Sequence, residues 1–161
     1  MVFPSPIKSE PYAIERQWID YNGHFNMAYY NVLFDRDSDV ALAHVGLGPA
    51  YVRKSGNSYF TLEAHISYLR ELEEKDQVRI ATQILDFDSK RLHYVQMMHH
   101  AKESWLACVT ENIVMHVNLE SKKSSPFPPD VLERIKIAHD AHKSLTVPLQ
   151  VGHKIGIPRK V

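Results

Sequence analysis

The chain has 161 residues, of which 44% are hydrophobic and 24% are charged, and its 19 basic residues balance its 19 acidic ones. These values are typical of one soluble globular domain with a buried core, and they exclude a disordered chain. The zero net charge and the lack of a basic run exclude an extended nucleic-acid or membrane-surface footprint. Cys108 is the single cysteine, so we expect no internal disulfide. Without a signal-peptide pattern, the predicted location is the cytoplasm.

The first half of the chain predicts one strand and one long helix. Residues 8–19 have the pattern of an opening strand. Apolar residues then recur at helical spacing from Tyr29 to Val45, and Gly46 and Gly48 end the helix.

From Tyr59 onward the hydrophobic period becomes two, which indicates strands. In the segment 59–68, one face is predicted to be apolar (Phe60, Leu62, Ala64, Ile66, Tyr68) and the other polar (Thr61, Glu63, His65, Ser67). Three further strands are predicted at 77–87, 91–101 and 105–117, separated by short turns. Short connections between consecutive strands predict antiparallel pairing in meander order.

One strand, one long helix and four more strands predict an α+β fold, with a single central helix on a five-stranded antiparallel sheet. We expect residues 1–161 to form one domain. Its core is expected over about 8–120, followed by a helix at about 130–143 and an irregular tail at 144–161 that is rich in proline and glycine.

The segment from Trp18 to Met27 carries the strongest functional signal. Asp20 and a turn at Gly23 stand directly before the long helix. The first amides of a helix lack partners within the helix, and they lie at the positive end of its dipole, so they can stabilise a developing oxyanion. A carboxylate beside such amides is the arrangement of a hydrolase. The alternative is that Asp20 only caps the turn.

The element order, together with Asp20-x-x-Gly23-His24-x-Asn26, resembles the hotdog fold of the 4-hydroxybenzoyl-CoA thioesterase family. Segments 18–24, 58–66, 90–93 and 115–117 are similar to the branch that includes betainyl-CoA thioesterases and the thioesterase part of some carnitine dehydrogenases. The resemblance covers roughly residues 8–120. It implies a homodimer, or a tetramer, that hydrolyses a small or medium acyl-CoA without a cofactor. In that branch an acidic residue is expected at or near Met27.

The resemblance also implies roles for individual residues. Asp20 would be the catalytic carboxylate, acting as a nucleophile or as a general base, and the Met27 amide would polarise the thioester carbonyl. The other residues of the catalytic turn are Gly23, His24 and Asn26, of which Asn26 is also a natural helix N-cap. The predicted substrate-binding residues are Trp18, Tyr21, Asn22 and Tyr30 near the turn, Tyr59, Phe60, Thr61 and Glu63 on the first long strand, and Lys90 and Arg91 for the coenzyme A phosphates.

Two other functions are compatible with the same fold. One is a hydratase or dehydratase of acyl thioesters, which would need a histidine and carboxylate pair that no sequence motif indicates here. The other is a non-catalytic acyl-CoA binding module. No metal-binding motif is present, because adjacent strand residues such as His99 and His100 point to opposite faces. Asp37 falls within the apolar stripe of the helix and therefore requires a partner.

Overall fold

A computed structural model of the chain describes residues 2–157. Helices pack on one antiparallel sheet, whose main path has five strands in the order β1-β4-β5-β6-β3. The elements are β1 Ile7–Lys8, β2 Tyr12–Ala13, α1 Met27–Ala43, α2 Pro49–Ser55, β3 Asn57–Tyr68, β4 Gln77–Phe87, β5 Arg91–His100, β6 Leu106–Asn118, β7 Lys123–Ser124 and α3 Pro129–His142. The predicted α+β architecture, with one long helix on the sheet, is confirmed.

The opening strand predicted over residues 8–19 is wrong in extent. Two short strands, β1 and β2, both pair antiparallel with β4. Pro11 lies between them, and a proline has no amide proton to donate to a neighbouring strand. A 3-10 turn at Arg16–Trp18 then leads toward α1.

β3 lies beside β6 at the edge of the sheet, and not beside β4 as the predicted meander order requires. It pairs antiparallel with β6, from Asn57 opposite Asn118 to Tyr68 opposite Cys108. The other three long strands do form the predicted meander. Among the described residues, the outer edge of β3 therefore has no partner strand.

A β-bulge at Leu62 changes which residues of β3 face the helix. Thr61 pairs with Val114 and Glu63 pairs with Ile113, so Leu62 is an extra residue in the ladder. Because Val114 belongs to the core, the odd-numbered residues face α1 before the bulge and the even-numbered residues face it afterwards. The prediction of one alternating face along the whole strand is therefore wrong for its first half.

α1 buries one side against the sheet, and its apolar residues are Tyr30, Leu33, Phe34, Ala41 and Leu42. Its end at Ala43 agrees with the predicted stop before Gly46. The short helix α2 was not predicted, because seven residues are too few to show a helical repeat.

Asp37 lies on the buried side of α1 and is only 2% exposed. The Tyr12 hydroxyl donates to one carboxylate oxygen at 3.2 Å. The Thr82 hydroxyl and the Gln96 amide donate to the other oxygen at 3.3 and 3.1 Å. The required partners of Asp37 therefore come from β2, β4 and β5, and they fix the helix on the sheet.

α3 occupies the helix predicted at about 130–143, and His142 at its end ties it to the sheet. The Ile84 amide donates to Nδ1 of His142, and Nε2 donates to the Pro4 carbonyl. Residues 143–157 contain no helix or strand, as predicted for the tail, and its last four residues lie outside the described residues. No helix within 2–157 is long and apolar enough to cross a membrane.

The pH dependence of folding should report the buried Asp37. Burial raises the pKa of its carboxyl above the ordinary value of 3.8, against hydrogen bonds from Gln96, Tyr12 and Thr82 that lower it. From pH 3.8 up to the raised value, the folded protein binds more protons at this site than the unfolded chain does, so stability falls as the pH rises. Asp37→Asn has no carboxyl group at this position, so its stability should not fall with pH in this way. Its free energy of unfolding, measured in urea between about pH 4 and about pH 7, should rise relative to wild type. Asp35→Asn, at an exposed position on the same helix, is the control, and parallel curves for wild type and Asp37→Asn would contradict the prediction.

Candidate active site

Asp20 begins a tight turn that ends at Gly23. The Gly23 amide donates to the Asp20 carbonyl at 3.0 Å, and Gly23 has a φ of +82°, which side chains disfavour. A Cβ at Gly23 would meet nothing within 4 Å, so the backbone angle and not space explains the glycine. One carboxylate oxygen, Oδ1, accepts from the amides of Asn22 at 2.8 Å and His24 at 3.4 Å. Asp20 therefore does cap its turn, but with one oxygen, and Oδ2 has no hydrogen-bond partner in the described part of the chain.

The start of α1 lies directly after this turn. The Asn26 amide donates to the Trp18 carbonyl, and the Asn26 side chain accepts from the Ala28 amide at 3.0 Å. Asn26 is therefore the N-cap of α1. The Tyr29 amide is also bonded, to the Asn26 carbonyl. The Met27 amide takes part in none of the hydrogen bonds between described residues, so it remains able to bind a ligand oxygen.

The loop between β3 and β4 holds the Asp20 turn from the other side. The Phe25 amide donates to the Leu72 carbonyl at 2.8 Å, and His24 forms an antiparallel bridge with Glu73. This pairing brings the Glu71 carboxylate to 3.4 Å from Nε2 of His24. His24 is thus placed beside the turn, with an exposed carboxylate next to it.

Two aromatic residues predicted to bind substrate lie in the core. Trp18 is 4% exposed, stacks on Tyr29 at a centroid distance of 5.8 Å and is covered by the Arg36 guanidinium. Tyr30 is also 4% exposed and packs against Phe25. Their faces are occupied within the chain, so contact between either ring and a substrate stays a prediction that this packing does not favour.

The surface around the turn is open in a single chain. Tyr21 is 98% exposed, Met27 is 65% exposed, and Asn22 is exposed as well. The aromatic residue that does reach the start of α1 is Tyr68, whose hydroxyl donates to the Met27 carbonyl at 3.0 Å. Sequence reasoning missed Tyr68 and Glu71 as neighbours of the site, because more than 40 residues separate them from Met27 and Asp20.

The bulge distributes the predicted β3 residues over two faces. Tyr59 and Thr61 face α1, and the Tyr59 hydroxyl donates to Asp39 at 3.0 Å. Phe60, which is 54% exposed, and Glu63 face the other side. A substrate pocket lined by all four residues stays a prediction that this division between two faces does not favour.

Glu63 instead borders a cleft of about 760 Å³ on the face of the sheet away from α1. The same cleft is lined by His93, Glu111 and residues 152–155 of the tail. The Glu111 carboxylate lies 2.7 Å from Nε2 of His93 and accepts from the Gly152 amide at 2.7 Å. These contacts hold the tail on the sheet, and they are distinct from the Asp20 turn.

Lys90 and Arg91 follow the turn between β4 and β5. The Arg91 guanidinium is paired with Asp88, and the Arg91 and Lys90 amides cap the same carboxylate. The pKa of the Asp88 carboxyl is lowered, first by the Lys90 amide and then by the Arg91 side chain. Among residues 2–157, the Lys90 ammonium has one polar contact, with the Ser124 hydroxyl at 3.5 Å. Lys90 is therefore the freer cation of the two.

The sequence profile of the thioesterase-like superfamily matches residues 14–135, which include the Asp20 turn and the four long strands. The chain belongs to the thioesterase-like superfamily. The chain is 38% identical to a betainyl-CoA thioesterase from Pseudomonas aeruginosa, over 88% of its own length and 89% of the length of that relative.

The thioesterase is also 32% identical to an L-carnitine dehydrogenase/betainyl-CoA thioesterase from Rhizobium meliloti, over 96% of its own chain and 31% of that longer protein. A hypothetical protein from Staphylococcus aureus, solved in complex with CoA, superposes with a TM-score of 0.89 at 29% identity and 98% coverage of both chains. These likenesses confirm the predicted family, the hotdog fold and the assignment as an acyl-CoA thioesterase.

Thioester hydrolysis requires a nucleophile or base and a donor for the oxyanion, whereas the thiolate leaves without strong acid assistance. Asp20 Oδ2 and the Met27 amide are groups of these two kinds, and both are free of internal partners among the described residues. Within residues 2–157, no three His, Cys, Asp or Glu side chains are grouped so that they could hold a metal ion.

The two cations should differ in their effect on coenzyme A binding. Lys90→Ala should raise KM by about threefold to tenfold for every acyl-CoA with little change in kcat, because an exposed phosphate contact is independent of the acyl group. Arg91→Ala should have a smaller effect, since Asp88 already neutralises this guanidinium. Steady-state kinetics with several acyl chains, at low and high salt, measure both effects. Lys143→Ala serves as the control, and an effect of Lys90→Ala confined to one acyl chain would contradict this placement.

Proposed function

We propose that this thioesterase hydrolyses betainyl-CoA to betaine and coenzyme A, with Asp20 as the catalytic carboxylate. The observation that carries the catalytic part is that Asp20 Oδ2 and the Met27 amide, at the turn and at the start of α1, both lack hydrogen-bond partners among the described residues. The 38% identity to a betainyl-CoA thioesterase over most of both chains supports the choice of acyl group. The cytoplasm is the proposed location.

In the proposed mechanism, the thioester carbonyl oxygen accepts from the Met27 amide, and the dipole of the 17-residue helix α1 favours the negative charge that develops there. Asp20 Oδ2 either attacks the carbonyl carbon, forming a mixed anhydride that water then cleaves, or removes a proton from the attacking water. In both routes the C–S bond breaks, the thiolate of coenzyme A leaves and water supplies the new carboxylate oxygen. The amides that bind Oδ1 hold the carboxylate in place for either role.

We further propose that two chains form each active site. Arg91 pairs with Met115, and Met115 pairs with Phe60, so the cations lie at the Phe60 end of the sheet. The Asp20 turn lies at the other end, beside Tyr68, about 26 Å away along β3 at ~3.3 Å per residue. Within one chain, an acyl-CoA would therefore have to extend about 26 Å along the strand to meet both the Asp20 turn and the cations that bind its phosphates. Antiparallel pairing of two β3 edges would bring the cations of one chain beside the turn of the other.

The unpaired edge of β3 supports the same dimer. β3 has 12 residues, and Phe60 and Leu62 are exposed along it at 54% and 53%. Natural proteins cover or pair so long an apolar edge. A tetramer would need a second interface, for which the described residues provide no comparable strand edge.

Asp20→Asn should abolish most hydrolysis without unfolding the protein. Loss of a nucleophile or base should lower kcat at least about 10²-fold, whereas the amide can still cap the turn. Thiol release from betainyl-CoA measures the activity, and circular dichroism measures the fold. Asn26→Ala is the comparison, because loss of a cap costs about 1 kcal/mol of stability without removing the reacting group. A folded Asp20→Asn protein with near wild-type turnover would refute the assignment.

The dimer should depend on the β3 edge. Leu62→Glu places one negative charge from each chain near the centre of the two paired β3 strands. The dissociation constant of the dimer should therefore rise at least about tenfold, which corresponds to ~1.4 kcal/mol. Light scattering across a dilution series measures dissociation, and activity should fall with the dimer fraction. Leu149→Glu, at a 93% exposed position of the tail, should leave the dimer intact. A stable and fully active monomer would contradict the shared site.

A further inference from the structure

Tyr68 is the one aromatic side chain that is tied to the first residue of α1 and is also open to solvent. It is the last residue of β3, and its hydroxyl donates to the Met27 carbonyl at 3.0 Å. Its ring stands edge-on to Tyr30 at a centroid distance of 5.3 Å, and the residue keeps 45% of its surface exposed. Of the other aromatic rings near the turn, Trp18 is buried and stacked on Tyr29, and the 98% exposed Tyr21 has no aromatic contact.

In the proposed reaction, the acyl group of the substrate lies on the side of Met27 that Tyr68 contacts. The Met27 amide and the Met27 carbonyl belong to one residue, so the Tyr68 hydroxyl contacts the same residue whose amide would bind the thioester oxygen. In a betainyl group the quaternary nitrogen is attached directly to that carbon. Its charge cannot be removed by proton transfer, so recognition requires aromatic faces, carboxylates or both.

A carboxylate, that of Glu71, also lies beside the turn that begins at Asp20. Glu71 follows Tyr68 by three residues, is largely exposed, and lies 3.4 Å from His24. Arg70 stands between them in sequence, but its guanidinium lies over the Trp105 ring at 4.0 Å. The Arg70 guanidinium is therefore engaged with Trp105, and the Glu71 carboxylate is the acidic group next to His24. Asp37, the other acidic residue that the sequence suggested for this purpose, is bound by Tyr12, Thr82 and Gln96 within the core.

We infer that Tyr68 and Glu71 select a cationic, quaternary-ammonium acyl group, with Tyr68 supplying the aromatic face and Glu71 the compensating charge. This inference rests on the proposed function, in which the thioester carbonyl lies at the Met27 amide. It assigns the charge recognition to residues of the β3–β4 connection and not to position 27, where this chain has an uncharged methionine.

The test compares betainyl-CoA with 3,3-dimethylbutyryl-CoA, its neutral isostere. Wild-type enzyme should prefer the charged substrate at least about tenfold in kcat/KM, which one desolvated cation–π contact can provide. Tyr68→Phe keeps the ring and should retain this preference within about twofold, while kcat for both substrates falls together because the bond to Met27 is lost. Tyr68→Leu should reduce the preference at least about fivefold and leave the neutral substrate close to its rate in Tyr68→Phe.

Glu71→Gln should reduce the preference about twofold to threefold, and less at high salt, because the carboxylate is exposed and screened. Glu74→Gln, an exposed carboxylate of the same connection, is the matched control and should change nothing. Wild-type preference retained in Tyr68→Leu would overturn the inference, as would equal rates on both substrates in wild type. That second result would leave acyl-CoA hydrolysis intact.

Equilibrium binding of the same two CoA thioesters to Asp20→Asn protein separates the inference from the catalytic proposal. Charge-selective binding that Tyr68→Leu removes supports the inference even if wild-type enzyme hydrolyses neither compound, an outcome that would refute the proposed function alone. Binding without charge selectivity overturns the inference whatever the turnover. Circular dichroism of each variant establishes that it is folded.

Discussion

The proposed chemistry depends on where α1 begins. The Asn26 amide is bound to the Trp18 carbonyl, and its side chain caps the helix, so the first helical residue is Met27. Because the cap satisfies the Ala28 amide and the Asn26 carbonyl satisfies that of Tyr29, one amide remains free at the positive end of the helix. The turn from Asp20 to Gly23, a few residues before that amide, holds a carboxylate without using both of its oxygens.

The position of α1 on the sheet is set by buried polar contacts as well as by apolar packing. Asp37 accepts from side chains of β2, β4 and β5, and the neighbouring Ser38 hydroxyl contacts both Tyr94 and Gln96. Polar contacts in a buried site are directional, so they favour one rotation of the helix over others. This orientation is obtained although burying the Asp37 carboxylate costs free energy of folding.

The bulge in β3 decides which side chains can share a pocket. If Leu62 paired regularly with Ile113 and the strand had no bulge, Glu63 would face α1 together with Tyr59 and Thr61. With it, the second half of the strand directs Tyr68 to the start of the helix, and Glu63 points to the cleft under the tail. A single inserted residue thus separates a surface that stabilises the tail from one that faces the candidate site.

The elements with strong periodicity and the turn at Asp20 could be predicted from the sequence. The strand 77–87, the end of α1 and the helix after Pro129 agree closely with their predicted bounds, since each is encoded by repeating apolar positions or by punctuating glycine and proline. Asp20, Gly23 and Asn26 adopt a turn and a cap that depend on neighbours only a few residues away. Local interactions of this kind leave a local signal.

The remaining features depend on contacts between distant parts of the chain, which form only when it folds. The placement of β3 beside β6, the phase change at Leu62, the core position of Trp18 and the contact of Tyr68 with Met27 all join residues that are distant in the sequence. Strand pairing among several similar alternating segments has no local code, and a bulge reverses the faces without changing the hydrophobic pattern. The sequence could therefore predict the turn at Asp20 and Gly23 and the cap at Asn26, whereas the residues that surround them follow from how the chain packs.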